Sequence, residues 1–201
     1  MTIVLYDVSA SPLEQTHVLK VDDAGGGVKW LGFLPDGQSL IAITGSGDVR
    51  RWDFAANPPR QVARARIKAG SSLPAADLSP DGRTLAVATD DNRSALLWTV
   101  TAPNLVRRHV WRNVTQKEIG ALAWSPRGPM LAAADLSGRL ILWNTETLEK
   151  ALDKQTLGEF RTAAFAPLSG KPADAPRLRL AVASQGGNGD VFLLELAPKK
   201  K

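Results

Sequence analysis

The chain has 201 residues, of which 44% are hydrophobic and 22% are charged, and its formal net charge is +5. This balance is typical of an ordinary soluble globular protein, and no apolar run reaches the roughly 20 residues that a membrane helix needs. The absence of cysteine excludes disulfides, thiolate chemistry and cysteine-based zinc sites. Because the first residues lack the pattern of a secretory signal, we expect a cytoplasmic location.

The N-terminal stretch predicts two strands, and a complete repeat unit follows it. Residues 2–8 alternate apolar and polar side chains as a half-buried strand does, and a second strand is predicted over 16–21. The unit at 28–68 contains four strands. Its first turn is Pro35-Asp36-Gly37, in which proline presets φ and glycine accepts a positive φ.

The same order of strands and turns recurs along a single array that covers residues 1–198. Further units are predicted at 72–112, 119–157 and 160–196, the last without an outer strand, and residues 199–201 form a basic tail. The third strands end on Tyr6-Asp7, Trp52-Asp53, Trp98-Thr99, Trp143-Asn144 and Leu194-Glu195. The steps between the first members of these pairs are 46, 46, 45 and 51 residues. A period in the forties with a Trp-Asp ending is typical of a propeller blade.

The chain therefore resembles the WD-repeat (Trp-Asp repeat) β-propeller family over nearly its whole length. The resemblance is carried by the terminal Trp positions and by Leu34-Pro35-Asp36-Gly37, Ser79-Pro80-Asp81-Gly82 and Ser125-Pro126-Arg127-Gly128. It implies an all-β fold of about four antiparallel four-stranded blades after an N-terminal half-blade (1–21), either as a partial propeller or as one half of an oligomeric ring. It also implies a non-enzymatic scaffold for protein-protein interaction, with the partner on the top face of the propeller.

No constellation of residues predicts catalysis. His17 and His109 fall on predicted outer strands, and no Gly-x-Ser-x-Gly motif offers an activated serine. Asp36, Asp81, Asp90 and Asp91 are predicted in turns, where aspartate side chains bond nearby backbone N–H groups. A pair of catalytic carboxylates at Asp90 and Asp91 is the alternative, but we expect no enzyme activity, no metal and no cofactor.

The six tryptophans divide by repeat position. Four are expected in the core: Trp52, Trp98, Trp143 and Trp124. Trp111 is expected to cover a blade edge. Trp30 aligns instead with small residues, at a position that in the resembled family opens onto the top face, so it either anchors a partner or fills the central channel. The candidate partner-binding residues are Lys29, Trp30, Asp90, Asp91, Arg93 and Arg161.

Basic side chains are concentrated on two consecutive outer strands: Arg60, Arg64, Arg66 and Lys68, then Arg107, Arg108 and Arg112. Charged edge strands resist pairing with other sheets, and this is the expected role; the alternative is an anionic partner such as nucleic acid. The alternative to a scaffold is a regulatory or sensor segment of a larger multidomain signalling protein. A small-ligand binder, an enzyme and a nucleic-acid binder rank below it.

The two ends of the predicted array leave incomplete blades. The last unit lacks its fourth strand, and the N-terminus supplies a third and a fourth strand without a first or second. Pairing of residues 16–21 with 191–196 would complete the last blade, within one chain as a four-bladed ring or between two chains as an eight-bladed ring. We expect association, as a homo-oligomer or with a missing propeller segment, over a closed monomer.

Overall fold

Seventeen β-strands and no helix make up the part of the chain that the structure describes. This computed structural model describes residues 1–22, 26–67, 75–89, 93–101, 105–156, 158–167, 178–184 and 190–196. The expected all-β fold is confirmed. In chain order the strands are β1 (Thr2–Asp7), β2 (Glu14–Lys20), β3 (Val28–Phe33), β4 (Ser39–Thr44), β5 (Asp48–Asp53), β6 (Arg60–Arg66), β7 (Ala76–Leu78), β8 (Thr84–Ala88), β9 (Ala95–Thr99), β10 (Val106–Trp111), β11 (Ile119–Trp124), β12 (Met130–Asp135), β13 (Arg139–Asn144), β14 (Lys150–Gln155), β15 (Phe160–Phe165), β16 (Leu178–Ser184) and β17 (Val191–Leu196).

The strands form five separate antiparallel sheets in which neighbours along the chain are also neighbours in the sheet. Strands β1 and β2 form the half-blade. Strands β3–β6, β7–β10 and β11–β14 form blades 1, 2 and 3, and β15–β17 form the three-stranded blade 4. The first strands of successive blades lie against one another, β3 against β7, β7 against β11 and β11 against β15. The blades are therefore arranged around a common inner side formed by their first strands.

The turn between the first and second strands explains why the Pro-x-Gly motif recurs. In blade 1 the Asp36 carboxylate accepts hydrogen bonds from the backbone N–H groups of Gln38 (2.8 Å) and Ser39 (2.9 Å), which holds the turn closed. Gly37 has a φ of 64°, and Gly128 in blade 3 has a φ of 73°. A side chain is strained in this left-handed conformation, so the last position of the motif requires glycine.

The hydrophobic core is divided among the interfaces between neighbouring blades. Alternate side chains of a strand point to opposite faces of its sheet, and both faces of an inner blade are covered. In blade 3, Ile141 and Trp143 pack toward blade 2, whereas Leu140 and Leu142 pack toward blade 4. The second and third strands of the inner blades therefore read as nearly continuous apolar runs.

The backbones of blades 3 and 4 approach each other closely at Gly120. A Cβ atom at this position would collide with the backbone oxygen of Phe160 and would lie 3.0 Å from Leu136 Cδ2. Only glycine lets the first strands of these two blades come together in this way.

We expect Gly120→Ala to destabilise the fold by about 3 kcal/mol, because the added methyl group must force two backbones apart. Gly128→Ala is the control, since its Cβ meets open space and only the left-handed φ costs about 1 kcal/mol. Urea denaturation followed by far-UV circular dichroism measures both changes. An equal loss of unfolding free energy in the two variants would contradict the close packing at Gly120.

The described strands do not close a ring within one chain, which the sequence allowed. In the described residues β2 pairs only with β1, and β17 pairs only with β16. Strand β1 contributes to the core, because its Ile3 packs with Leu19 of β2 and Trp52 of blade 1 in one buried cluster. The half-blade is held against blade 1, so β2 is not available to complete blade 4.

Candidate partner-binding face

A register break occurs near the start of three first strands, at Lys29 in blade 1, Gly120 in blade 3 and Arg161 in blade 4. The pairing of β3 with β4 slips between Val28 and Trp30, and the pairing of β15 with β16 slips between Phe160 and Thr162. Lys29 and Arg161 are therefore the bulged residues at equivalent positions of blades 1 and 4. A bulge re-aims a side chain out of the ladder; that of Lys29 is half-buried and that of Arg161 is exposed.

Both bulges lie at the top face, which we define as the blade ends where the first strands begin and the second strands lead into the third. Arg93 lies at this face because it precedes β9, and it is exposed. Its backbone carbonyl accepts a hydrogen bond from the N–H of Val114 at 2.9 Å, which fixes this turn to the segment after β10. Asp90 and Asp91 lie outside the described residues. The top face thus carries Lys29, Arg93 and Arg161 from three different blades, together with the exposed Lys117 and Glu159 just before β11 and β15.

Trp30 is half-buried at the top face. Its indole ring lies over Gly32, where a Cβ atom would collide with the ring, and it packs against the apolar cluster between blades 1 and 2. The ring therefore contributes to the interface between blades and has only part of its surface open to a partner.

A buried ionic cluster at the same end of blade 1 was not found from the sequence. The Asp48 carboxylate Oδ2 lies 2.6 Å from an Arg64 guanidinium nitrogen and 3.4 Å from one of Arg50. The Arg50 guanidinium also donates to the backbone carbonyl of Asp22, at the end of the half-blade. Arg50 occupies the repeat position of Leu96 and Ile141, and a cation at an apolar repeat position is the signal that could have revealed the cluster.

The basic outer strands differ in their contacts. Arg64 is bound to Asp48, whereas several other arginines of these strands are exposed: Arg60, Arg66, Arg107, Arg108 and Arg112. Lys68 lies outside the described residues. The exposed members lie along sheet edges, where charge opposes pairing with another sheet.

Clefts formed by described residues lie at the bottom face, the opposite blade ends that carry the Pro-x-Gly turns. The first, about 590 Å³, is lined in blade 1 by Asp36, Arg51 and Arg60 among others. A second of about 370 Å³ lies between blades 2 and 3 against Trp124, and a third of about 270 Å³ lies between blades 1 and 2. Arg51 separates the first from the third, and its guanidinium donates to the carbonyl of Val100 at 2.9 Å.

Asp77 on β7 connects the first strands of blades 2 and 3. Its Oδ2 accepts the backbone N–H of Trp124 at 2.7 Å, and its backbone carbonyl accepts the indole N–H of Trp124 at 3.0 Å. Burial of the carboxyl group raises the pKa of Asp77, and the hydrogen bonds from Trp124 and Leu78 oppose that rise. The folded state therefore binds a proton at Asp77 more tightly than the unfolded state does.

We expect Asp77→Asn to be at least as stable as the parent at pH 7, because the amide keeps an oxygen acceptor and removes a desolvated charge. The pKa of Asp77 in the folded state is raised above its ordinary value of 3.8. As the pH falls from the folded-state pKa toward 3.8, protonation of Asp77 therefore stabilises the parent protein. The stability advantage of the Asn variant shrinks over the same pH range. Urea unfolding at several pH values measures this. Asp77→Ala should instead lose about 1–3 kcal/mol, because the Trp124 N–H loses its acceptor; equal stability of the Ala and Asn variants would contradict the role of the hydrogen bond.

The histidines are packed against aromatic rings. The His17 ring lies 5.9 Å from that of Phe54, and the His109 ring lies 4.9 Å from that of Trp111. In the described residues no group of three or more His, Cys, Asp or Glu side chains is placed to hold a metal ion. No helix able to cross a membrane occurs in the same part of the chain.

Comparison with known proteins gives matches to repeats and to propellers. A family model described as "WD domain, G-beta repeat" matches residues 108–144. Among curated proteins, Protein hir-1 of Neurospora crassa is 25% identical over 140 residues and Protein hir1 of Emericella nidulans is 26% identical over 141, each match covering 58% of this chain. The chain spans only 13% of the length of these relatives.

Two known structures share the fold at low sequence identity. The β-propeller domain of Cps50 (Swd1) from Myceliophteria thermophila superposes with a TM-score of 0.74 and 16% identity, covering 96% of this chain and 64% of that domain. U3-55K superposes with a TM-score of 0.66 and 16% identity, covering 85% of this chain and 49% of that structure. The similarity thus extends over nearly all of this chain and over about half to two thirds of each neighbour.

Proposed function

We propose that this chain is a non-enzymatic platform that binds a protein partner at its top face. It carries a WD40 repeat and has the WD-repeat β-propeller fold. Propellers of this kind generally serve as protein-interaction scaffolds, and their function resides in the surface residues added to the fold. The observation that supports the top face here is the shared bulge. It presents Lys29 and Arg161 at the same position of two blades, with Arg93 at the same end of a third.

The cations Lys29, Arg93 and Arg161 favour a partner that places acidic side chains opposite them. Lys29, Arg93 and Arg161 are spread over blades 1, 2 and 4, so a partner that contacts all three must extend across the inner side of the array. Complementary charge raises the rate at which two proteins associate and determines which partner binds, more than it increases the affinity. The exposed part of the Trp30 ring lies next to Lys29 and supplies apolar contact area.

A comparative affinity capture tests this proposal. The bait is the full chain, and the variant carries Lys29→Glu and Arg161→Glu. The matched control carries Arg83→Glu and Arg127→Glu, which reverses the charge of two cations, both exposed, at the bottom face. Captured proteins are quantified by mass spectrometry. We expect some proteins to be captured by the parent and the control but not by the top-face variant. Identical captured sets for the two variants, with unchanged thermal melting, would overturn the assignment to the top face.

The second candidate is a regulatory segment of a larger protein. Its support is that the curated relatives are far longer than this chain, which spans 13% of them. An antibody raised against the chain would detect a polypeptide of 21.5 kDa in cells if the chain acts alone, and a larger one if it is a segment.

A further inference from the structure

The outer strands of blades 1 and 2 lie in two segments of the sequence that contain no acidic residue. Residues 54–76 and 92–117 hold none of the 20 Asp and Glu residues of the chain but nine of its 25 Lys and Arg residues. Strand β6 lies in the first segment and β10 in the second. The nine cations are Arg60, Arg64, Arg66, Lys68, Arg93, Arg107, Arg108, Arg112 and Lys117. Positive charge is therefore concentrated where the chain forms blades 1 and 2.

The structure leaves much of this charge without a counter-charge. Five exposed arginines lie on or directly after the two outer strands, and we call them the rim arginines: Arg60, Arg66, Arg107, Arg108 and Arg112. Within the described residues none of the five forms an ion pair. Asp53 lies opposite Arg60 in the pairing of β5 with β6. Asp81 and Glu146 line the same cleft as Arg108. These carboxylates offset only part of the charge of the set.

The arginine at a bulge of blade 2 is not required by the fold. The fourth strands of blades 1, 2 and 3 each have a register break opposite the third strand, and the unpaired residues are Val62, Arg108 and Ala151. The bulge therefore accepts an apolar side chain in two of these blades. In blade 2 it instead carries a second cation directly after Arg107. The charge at this position is a property of blade 2 and not of the repeat.

Protection of the sheet edge does not account for charge of a single sign. Strand β14 is the corresponding edge of blade 3, and it carries Lys150, Asp153 and Lys154. Asp153 accepts hydrogen bonds from Arg139 and Lys150 at 2.8 Å each. Charged side chains of either sign oppose pairing with another sheet, so a mixed edge is sufficient. Cations gathered without anions repel one another and destabilise the compact state, and a bound anion relieves that repulsion.

We propose that the rim arginines bind the phosphate backbone of a single-stranded nucleic acid. The guanidinium group presents a planar fork of N–H donors that matches a phosphate group in a bidentate manner. Clustered arginines in a chain with a pI of about 9.7 are the electrostatic footprint of nucleic-acid binding. This inference concerns the outer rim of the blades, and it does not depend on the proposed function of the top face.

The position of the two outer strands favours a flexible ligand over a stiff or flat one. Strands β6 and β10 are the outer edges of neighbouring sheets, whose first strands β3 and β7 lie against each other on the inner side. The rim of the array is therefore convex. A DNA duplex is stiff over about 150 base pairs, so it touches a convex rim only over a short arc, as does a flat membrane. A single strand can bend around the rim and reach the arginines of both blades.

The two outer strands offer phosphate contacts rather than a surface on which bases stack. Strand β6 has no aromatic residue. On β10, the rings of His109 and Trp111 pack against each other with centroids 4.9 Å apart, and Trp111 is buried. Contacts to phosphate position a nucleic acid without reading its sequence. We therefore expect oligonucleotides of different base sequence to bind with similar affinity.

Fluorescence anisotropy of a labelled single-stranded oligonucleotide of about 20 nucleotides, measured with the full chain at several salt concentrations, tests this proposal. If five phosphates are contacted, a plot of the logarithm of the binding constant against the logarithm of the salt concentration has a slope of about −3.5. A rim variant carries Arg66→Gln, Arg107→Gln and Arg112→Gln. Its slope should be about −1.4, and its affinity at about 0.1 M salt should be about a hundredfold lower.

Two further variants separate the position of the charge from its amount and from the fold. The matched control, with Arg83→Gln, Arg127→Gln and Arg179→Gln, neutralises three exposed cations away from the rim and should keep the parent slope. Lysine substitution at the three rim positions, Arg66→Lys, Arg107→Lys and Arg112→Lys, keeps the charge and should also keep the slope. All of these side chains are exposed, and thermal melting verifies that each variant is folded.

Three results would overturn the proposal. The first is an oligonucleotide that does not bind the parent at about 50 mM salt. The second is an equal loss of affinity in the rim variant and the matched control, which would show that net charge acts without the rim. The third is binding of polyglutamate, or of vesicles that contain phosphatidylserine, through the rim arginines when the oligonucleotide does not bind. That result would make an acidic protein or a membrane the ligand of the rim.

Discussion

Replacement of Trp143 by alanine is expected to destabilise the fold by about 3–5 kcal/mol, one of the two largest effects of a single substitution in this chain. Trp143 is fully buried between blades 2 and 3, and its ring is stacked on that of Trp111 with centroids 4.7 Å apart and an interplanar angle of 13°. Its removal leaves a cavity between two sheets, and the backbones of these sheets cannot move close enough together to fill it. Chemical denaturation followed by far-UV circular dichroism measures the loss.

Tyr6→Ala is the control for this prediction, because Tyr6 occupies the same repeat position at the open end of the half-blade. Its exposed ring should contribute less than about 1 kcal/mol. Trp143→Phe should cost less than the alanine variant, since it keeps most of the apolar volume and removes an indole N–H that has no acceptor among the described residues. A loss at Tyr6 as large as at Trp143 would contradict the burial of this position by the preceding blade.

Replacement of Asp48 by alanine is expected to cost about 3–5 kcal/mol, because it leaves the buried Arg50 guanidinium without its counter-charge. The side chains of Asp48 and Arg50 are both almost completely buried, whereas Arg64 is half-exposed and can turn to water. Asp153→Ala is the matched control. Asp153 also contacts two cations, Arg139 and Lys150 at 2.8 Å each, but all three are partly exposed, so its loss should cost about 1 kcal/mol or less.

A second substitution separates the buried charge from other effects of the Asp48 variant. Arg50→Leu gives blade 1 the type of residue found at the same position in blades 2 and 3, where Leu96 and Ile141 pack normally. In the Asp48→Ala background it should restore most of the lost stability, because no unpaired charge remains buried. A double variant as unstable as Asp48→Ala alone would show that the carboxylate acts in some other way. Chemical denaturation of the parent, the two single variants and the double variant measures the four free energies of unfolding.

The repeat pattern predicted those parts of the fold that depend on local sequence. The Pro-x-Gly turns and the apolar second and third strands are encoded within each unit, and Trp52 and Trp143 are buried as expected. Exposure that depends on a neighbouring blade could not be read from the unit alone. Phe33 occupies the same repeat position as the buried Trp124, yet it is exposed because two strands are missing in front of it. Trp98, which was also expected in the core, is only half-buried.

The candidate site was predicted less completely than the fold. Alignment with small residues singled out Trp30, but it could not show that the ring lies over Gly32, two residues along the same strand. The shared bulge of Lys29 and Arg161 depends on hydrogen-bond register, which the repeat period does not specify. The Asp48–Arg50 cluster also involves Asp22 of the half-blade, a contact between segments separated by 28 residues.

The division of the core among separate interfaces has a consequence for how the molecule comes apart. Each blade is stabilised only by the blades beside it, as in a one-dimensional array of coupled units. Blades 2 and 3 each have a blade on both sides, whereas the half-blade and blade 4 each have one neighbour in the described structure. We therefore expect unfolding to start at the half-blade and blade 4 and to proceed inward. The central strands of blades 2 and 3 should then be the last to exchange their amide protons.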